Sequence, residues 1–168
     1  MKEEHLYTSE FKLKNLGYGE WVEEPDLVEF EHNGINCIIM RNVTKEPYAK
    51  DEAYFGGHLC GYVSIPKDSV YYGKEYDQIE IDCHYGLTLG EFDDEENYWI
   101  GFDCAHSGDL VPSSEMFRKK YYSPSPHEIQ EEFKNFFIFN REYRNLAYCI
   151  EQCKSMADQL IGVKNENK

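Results

Sequence analysis

Asn33-Gly34 is the tightest constraint on how this chain folds. Leu27-Val28-Glu29-Phe30-Glu31-His32 alternates weakly before it, and Ile35-Asn36-Cys37-Ile38-Ile39-Met40-Arg41 follows it. Both positions of the dipeptide tolerate positive φ. The resulting two-residue turn has a twist that matches paired strands, so Asn-Gly between two apolar runs predicts an antiparallel hairpin. Leu59-Cys60-Gly61-Tyr62-Val63-Ser64-Ile65, stopped by Pro66, predicts a central strand, and Gly56-Gly57 before it predicts a turn.

Two more strands are expected, at Ile79 to His84 and at Trp99 to Asp103. Alternate side chains of an extended segment share a face. Ile79, Ile81 and Cys83 then oppose Glu80, Asp82 and His84, and Ile100, Phe102 and Cys104 oppose Trp99, Gly101 and Asp103. If the two strands pair, His84 and Asp103 fall on one polar face near the sheet end, and Cys104 turns into the core. Between them, Glu91-Phe92-Asp93-Asp94-Glu95-Glu96 is too dense in charge for a core strand and reads as a solvated loop. Tyr71 to Asp77 reads as a loop or short helical turn, and Glu20 to Asp26 as a loop covering one edge of the domain.

The C-terminal third reads as helix. Ser123-Pro124-Ser125-Pro126-His127-Glu128 has a serine cap, a first-turn proline and an acid. From Tyr143 to Leu160 the apolar positions step by three or four, while Phe136 to Asn140 breaks that spacing and predicts a kink or a split. The expected fold class is α+β: a mainly antiparallel sheet of about five strands packed against a C-terminal helical segment. A length of 168 residues fits one domain, with 1–24 as a covering segment, 25–110 as the sheet with its site and 123–162 as the helical segment.

A net charge of −15 speaks against neutralising the phosphates of duplex nucleic acid. No apolar run is long enough to span a membrane, and Met1-Lys2-Glu3-Glu4-His5 does not open a signal peptide, so the expected place is the cytoplasm. The six cysteines are then expected reduced, and none form a Cys-x-x-Cys pair. Cys149 and Cys153 stand one helical turn apart and are expected as buried thiols.

Chemistry concentrates where the expected strands end. Asp103-Cys104-Ala105-His106-Ser107-Gly108-Asp109 puts two carboxylates, a thiol and an imidazole in one loop, and His84-Tyr85-Gly86-Leu87-Thr88 adds a second cluster. His84, Asp103, His106 and Asp109 are donors that suit a divalent metal such as zinc, manganese or iron. The same histidines, oriented by a carboxylate, suit metal-free acid–base work. A Cys104–histidine nucleophile is disfavoured by the inward thiol. Binding without turnover is a fourth reading: His84, Tyr85, Thr88, Trp99, Asp103, His106 and Asp109 would hold a flat polar ligand. A purely structural cluster is the fifth. His58, after Gly56-Gly57, reads as a turn histidine or as a neighbour of the same pocket, and Arg41, Arg118 and Arg144 are each a candidate anion contact.

Gly57-His58-Leu59-Cys60-Gly61-Tyr62-Val63, Pro66 through Tyr72-Gly73-Lys74-Glu75-Tyr76-Asp77, His84 through Thr88 and Trp99 through Asp109 together resemble a family found in bacteriophages and in bacterial prophages. That pattern has a Gly-Tyr-Val strand, a His-Gly-Gly-Leu-Thr turn and a Trp-Ile-Gly-Phe-Asp-Cys-Ala-His-x-Gly-Asp segment. Tyr143 through Leu146 and Ala157 through Leu160 are similar to its closing helix. The likeness runs from about residue 20 to 162. Tyr85 departs from it where the pattern has glycine, and Ser69 where it often has histidine. The resemblance implies a phage setting and supports the site residues, but it implies no reaction. The function expected is therefore that of a phage-like accessory protein binding a small polar ligand, with a nucleotide-derived host-defence signal as one such ligand. The alternatives are a hydrolase at the same site, metal-dependent or histidine-based, and an acidic protein that blocks a host nucleic-acid-binding protein. Homo-oligomerisation stays open.

Overall fold

The hairpin forms as the dipeptide requires. In the computed structural model, which describes residues 1–47, 53–121 and 141–166, β2 (Leu27–His32) and β3 (Ile35–Lys45) pair antiparallel from His32↔Ile35 onward. Asn33 and Gly34 take φ of 52° and 82°. Around the hairpin, β1 (Lys2–Glu4), β4 (Tyr54–Ile65), β5 (Leu89–Phe92) and β6 (Tyr98–Asp103) complete a six-stranded antiparallel sheet in the order β1-β2-β3-β4-β6-β5. Three α-helices accompany it among the described residues: α1 (Ser9–Leu16), α2 (Pro112–Tyr121) and α3 (Leu146–Glu166). The fold is α+β, as the sequence predicts. No helix of the described residues is long and apolar enough to cross a membrane.

The core lies between the sheet and α3, which crosses β3 and β4. Cys149, Cys153, Met156, Ala157 and Leu160 form the buried face of α3, against Ile39, Leu59, Val63, Ile100 and Phe102 from the strands. The helix approaches closely because Gly61 has no side chain. A Cβ there would stand 2.5 Å from the Phe102 ring and 2.8 Å from Cys153 Sγ. At about 25 cal/mol per Å² of apolar surface, this layer is the main source of stability.

Several expectations need correction. Gly56-Gly57 is not a turn before the central strand but lies inside β4. Both glycines have φ near +90° and sit where the β3–β4 register shifts at Asn42/Val43. A Cβ on Gly56 would come within 2.4 Å of the Asn42 carbonyl oxygen, so the bulge demands glycine. Residues 79–84 do not form a strand. Their burial alternates as expected, with Ile79 and Ile81 inside and Glu80 and Asp82 outside. The Asp82 backbone, however, pairs with a side chain: its N–H donates to Gln159 Oε1, and Gln159 Nε2 donates back to its carbonyl, both at 2.8 Å. The place beside β6 belongs to β5, which takes Glu91 and Phe92 from the expected acidic loop. The turn from Asp93 to Asn97 remains exposed apart from half-buried Asn97.

The helix start at Ser123 and the break at Phe136 to Asn140 lie outside the described residues. Within them, α3 begins at Leu146, three residues after the expected run from Tyr143. Helix α2 has no counterpart in the sequence reading.

In the N-terminal segment, α1 lies against β4. Leu16, Trp21 and Val22 make a second, smaller apolar cluster. Beneath it, Lys12 Nζ and Arg41 Nε meet Asp26 Oδ1 at 3.2 Å and 2.7 Å, with all three side chains fully buried.

Candidate functional site

The loop after β6 is built by its own carboxylates. Asp103 Oδ1 accepts the Ala105 N–H at 3.0 Å and turns the chain out of the strand. His106 N–H donates to Asp109 Oδ2 at 3.0 Å, and Asp109 N–H donates to the His106 carbonyl at 2.9 Å. The Leu110 and Glu142 N–H groups then tie the loop to the segment before α3. Cys104 N–H stays on the Leu59 carbonyl, so the thiol continues the strand alternation into the core.

His84 enters from the turn that follows the extended segment. It is buried, and both ring nitrogens are engaged: Nε2 with Asp109 Oδ2 at 2.8 Å and Nδ1 with the Tyr148 hydroxyl at 2.8 Å. Arg144 Nε donates to the other Asp109 oxygen at 3.0 Å, while its Nη1 reaches Glu142 at 2.6 Å. The guanidinium also lies 5.0 Å from the Tyr148 ring centre. Burial pushes the Asp109 carboxyl up, but hydrogen bonds from His84, Arg144 and the His106 N–H outweigh it and hold the pKa below the usual range. Asp109 is therefore an acceptor only. In a neutral His84 the proton sits on Nε2, and Nδ1 accepts from Tyr148.

His106 differs from its neighbours. Its Nδ1 is buried and has no hydrogen-bond partner, although Asp103 Oδ1 is 3.7 Å away and Asp109 Oδ2 3.8 Å. Those distances are too long for hydrogen bonds. The Tyr85 ring stacks on the His106 ring at 4.9 Å and 9°. Tyr85 has a φ of 53° and is 64 % exposed. A bulky residue in the left-handed region costs roughly 1–2 kcal/mol, and glycine at this position would avoid that cost.

His58 adds a second buried nitrogen without a partner, its Nδ1. Burial lowers the pKa of its ring, against the opposing fields of Asp103 and Asp109. Cys104 Sγ stands 3.8 Å from Cys149 Sγ, and that contact together with burial pushes the Cys104 thiol well up. A thiolate nucleophile has no support here.

The structure thus brings His84, Tyr85, His106 and Asp109 together, with Asp103 at the rim. The shared polar face expected for His84 and Asp103 if their strands paired is corrected: residues 79–84 form no strand, His84 is buried and bonds to Asp109, and Asp103 lies 3.7 Å from His106. Trp99 is corrected as well. It lies at the opposite end of β6, where its Nε1–H donates to Asp93 Oδ2 at 2.9 Å. Thr88 has an exposed side chain, and its N–H extends the ladder to the Gly101 carbonyl. Of the three candidate arginines, Arg41 is buried on Asp26 and Arg118 pairs with Glu115, while Arg144 reaches the cluster. Tyr148 was not foreseen. Its spacing on α3 marks a helix, but nothing local marks a partner 64 residues away.

His84, His106 and Asp109 each offer one ligand atom within 4.8 Å of the others. No family model matches this chain, and no curated protein or solved structure matches it.

Proposed function

We propose that this chain is a phage-type accessory protein that binds a small polar ligand over the Tyr85–His106 stack. The observation that carries the reading is Tyr85. A bulky ring is held exposed, in backbone that suits glycine, directly on an imidazole whose inner nitrogen is unpaired. Strain of this kind persists where the surrounding structure enforces it, and it concentrates at sites of function. An exposed tyrosine face suits a flat ring such as a nucleobase. Asp103 at the rim suits a hydroxyl or amino donor. A nucleotide-derived signal combines these groups.

A second reading, hydrolysis of that ligand, draws on the Tyr148–His84–Asp109 chain. Three groups linked at 2.8 Å fix one ring and connect it to the loop that carries His106. Such a chain orients groups for acid–base work.

The test is a thermal-shift panel of linear and cyclic nucleotides, with and without added zinc, followed by mass analysis of the recovered ligand. One class should raise the Tm of the native protein and fail to raise that of Tyr85→Gly. Intact ligand on recovery supports binding alone, and altered ligand that depends on His106 supports hydrolysis. A panel in which no member stabilises the protein contradicts the reading.

A further inference from the structure

We propose that His84 Nε2, His106 Nδ1 and Asp109 Oδ2 bind one divalent transition-metal ion of the zinc class, leaving one coordination position open beside Asp103. The inference rests on reading this cluster as a binding site and names what completes it.

Three independent features point to a cation. The first is the unpaired His106 nitrogen. A buried imidazole nitrogen without a partner is costly, and this one faces two carboxylates across gaps too wide for hydrogen bonds. An ion between them removes that cost.

The second is spacing. Nitrogen and oxygen ligands at about 2.1 Å from a tetrahedral ion stand roughly 3.4 Å from one another. Asp109 Oδ2 is 2.8 Å from His84 Nε2 and 3.8 Å from His106 Nδ1, which brackets that value. The two histidine nitrogens lie within 4.8 Å of each other, so opening the first pair and drawing His106 in toward the other two atoms, a change that side-chain rotation supplies, would seat one ion.

The third is the support around the ligands. Metal-bound histidines hold their second nitrogen on a partner, and ligating carboxylates are themselves hydrogen-bonded. Tyr148 occupies His84 Nδ1, and Arg144 occupies Asp109 Oδ1. The identity of the Tyr148 group matters. Without an ion, His84 Nε2 carries the proton and Nδ1 accepts from the hydroxyl. With an ion, Nε2 must present its lone pair, so the proton moves to Nδ1 and is donated to the hydroxyl oxygen. A phenol both donates and accepts, so one residue serves both tautomers. A carboxylate or carbonyl there could serve only the second.

The donor set selects the ion. Two imidazoles and one carboxylate favour zinc, iron or manganese over calcium and magnesium, which take oxygen. Cys104 is turned away and contributes no sulfur. Three protein ligands with a fourth position free is the arrangement of catalytic rather than structural zinc. Asp103, 3.7 Å from the His106 ligand atom, stands where it could accept a proton from a bound water. The ion also gives an acidic protein a positive point on which a phosphate-bearing ligand can rest.

The test uses the full chain, stripped with a chelator and dialysed. Zinc, manganese and magnesium are titrated by calorimetry, and cobalt by absorption. One zinc per chain should bind, magnesium should not compete, and cobalt should give visible d–d bands without thiolate charge transfer. His106→Ala should lower zinc affinity by at least about tenfold with its circular dichroism unchanged, and Tyr148→Phe should lower it by about tenfold. Tyr148→Phe keeps the ring and the fold, so it reads the site even if other variants unfold. Absence of saturable zinc binding, a thiolate band, or parental affinity in His106→Ala overturns the proposal. Nucleotide stabilisation in a protein that shows no saturable zinc binding would leave the ligand reading standing while the metal fails. Zinc binding with no response to any nucleotide would do the reverse.

Discussion

Nε2 of His84 and Oδ2 of Asp109 meet at 2.8 Å, both side chains almost wholly inside the protein. The contact joins the turn after the extended segment to the loop after β6. Asp109 also carries Arg144 and the His106 N–H. Removing its charge should therefore be felt throughout the cluster. Asp109→Asn should cost about 1.5–3 kcal/mol, the range for hydrogen bonds made to a charged group. Urea denaturation followed by circular dichroism measures this. A cost below about 1 kcal/mol would mean that the pair does not hold the two segments together.

Tyr85→Gly separates strain from function. Relief of the left-handed backbone gains roughly 1–2 kcal/mol. Loss of the stack on His106 costs about 0.5–1.5 kcal/mol, and the added freedom of glycine in the unfolded chain costs about 0.5–1 kcal/mol. The terms nearly cancel, so the Tm should stay within a few degrees of the parent while ligand stabilisation disappears. A large Tm loss would make Tyr85 a structural residue.

The fold reads well where the determining contacts are local. Asn33-Gly34 specifies its own hairpin, and the three-to-four spacing from Leu146 onward identifies the buried Cys149 and Cys153 face. Alternation from Phe102 places Cys104 inward, as observed. The failures share a non-local cause. Period-two burial at residues 79–84 is the same whether the backbone pairs with a strand or with the Gln159 amide, so the pattern could not tell them apart. Gly56-Gly57 has the local signature of a turn, and only the register shift at Asn42 makes it a bulge. Alternation puts Trp99 and Asp103 on one face of β6, but they stand four residues apart along the strand and Trp99 bonds to Asp93 instead. Lys12 carries no local mark of burial, yet Asp26 and the Glu24 carbonyl draw it fully inside. The site loop was legible because its residue types are dense; Tyr148 was not, because only the folded chain brings it near.

The Lys12–Asp26–Arg41 network should be structural and independent of the site. Asp26→Asn leaves two buried cations short of a counter-charge, at a cost of about 3–5 kcal/mol. Zinc stoichiometry of the folded fraction should remain that of the parent. Equilibrium denaturation together with metal analysis of the soluble protein checks both parts.

His58 should give the protein a pH-dependent stability near neutrality. Burial lowers its folded pKa below the ordinary 6.5, with Asp103 and Asp109 acting against burial and Arg41 and His106 acting with it. A group with a depressed cationic pKa contributes stability that is complete above 6.5 and is lost as pH falls toward the folded value. The slope in that window is at most about 1.4 kcal/mol per pH unit for one proton. His58→Gln should flatten this part of the stability curve. An unchanged slope in the variant would assign the titration elsewhere.

Cys104 should be inert. The thiol is buried against Cys149, with its pKa pushed far above neutrality. A mild alkylating reagent at neutral pH should leave Cys104 unmodified in the native protein. Half-buried Cys83, itself pushed up to about 11, should label slowly and before it. Cys104→Ser should cost about 1–3 kcal/mol through a buried hydroxyl with a poor partner, without loss of zinc. Rapid selective labelling of Cys104 would restore it as a nucleophile.

The most direct measurement of the central claim is the imidazole nitrogen spectrum of labelled protein during a zinc titration. His84 and His106 stand with their rings 5.6 Å apart. If they share one ion, the Nε2 signal of His84 and the Nδ1 signal of His106 should shift together and finish at one equivalent, while the His84 proton moves to Nδ1. Signals that stay fixed, or that move at different equivalents, would contradict a shared site.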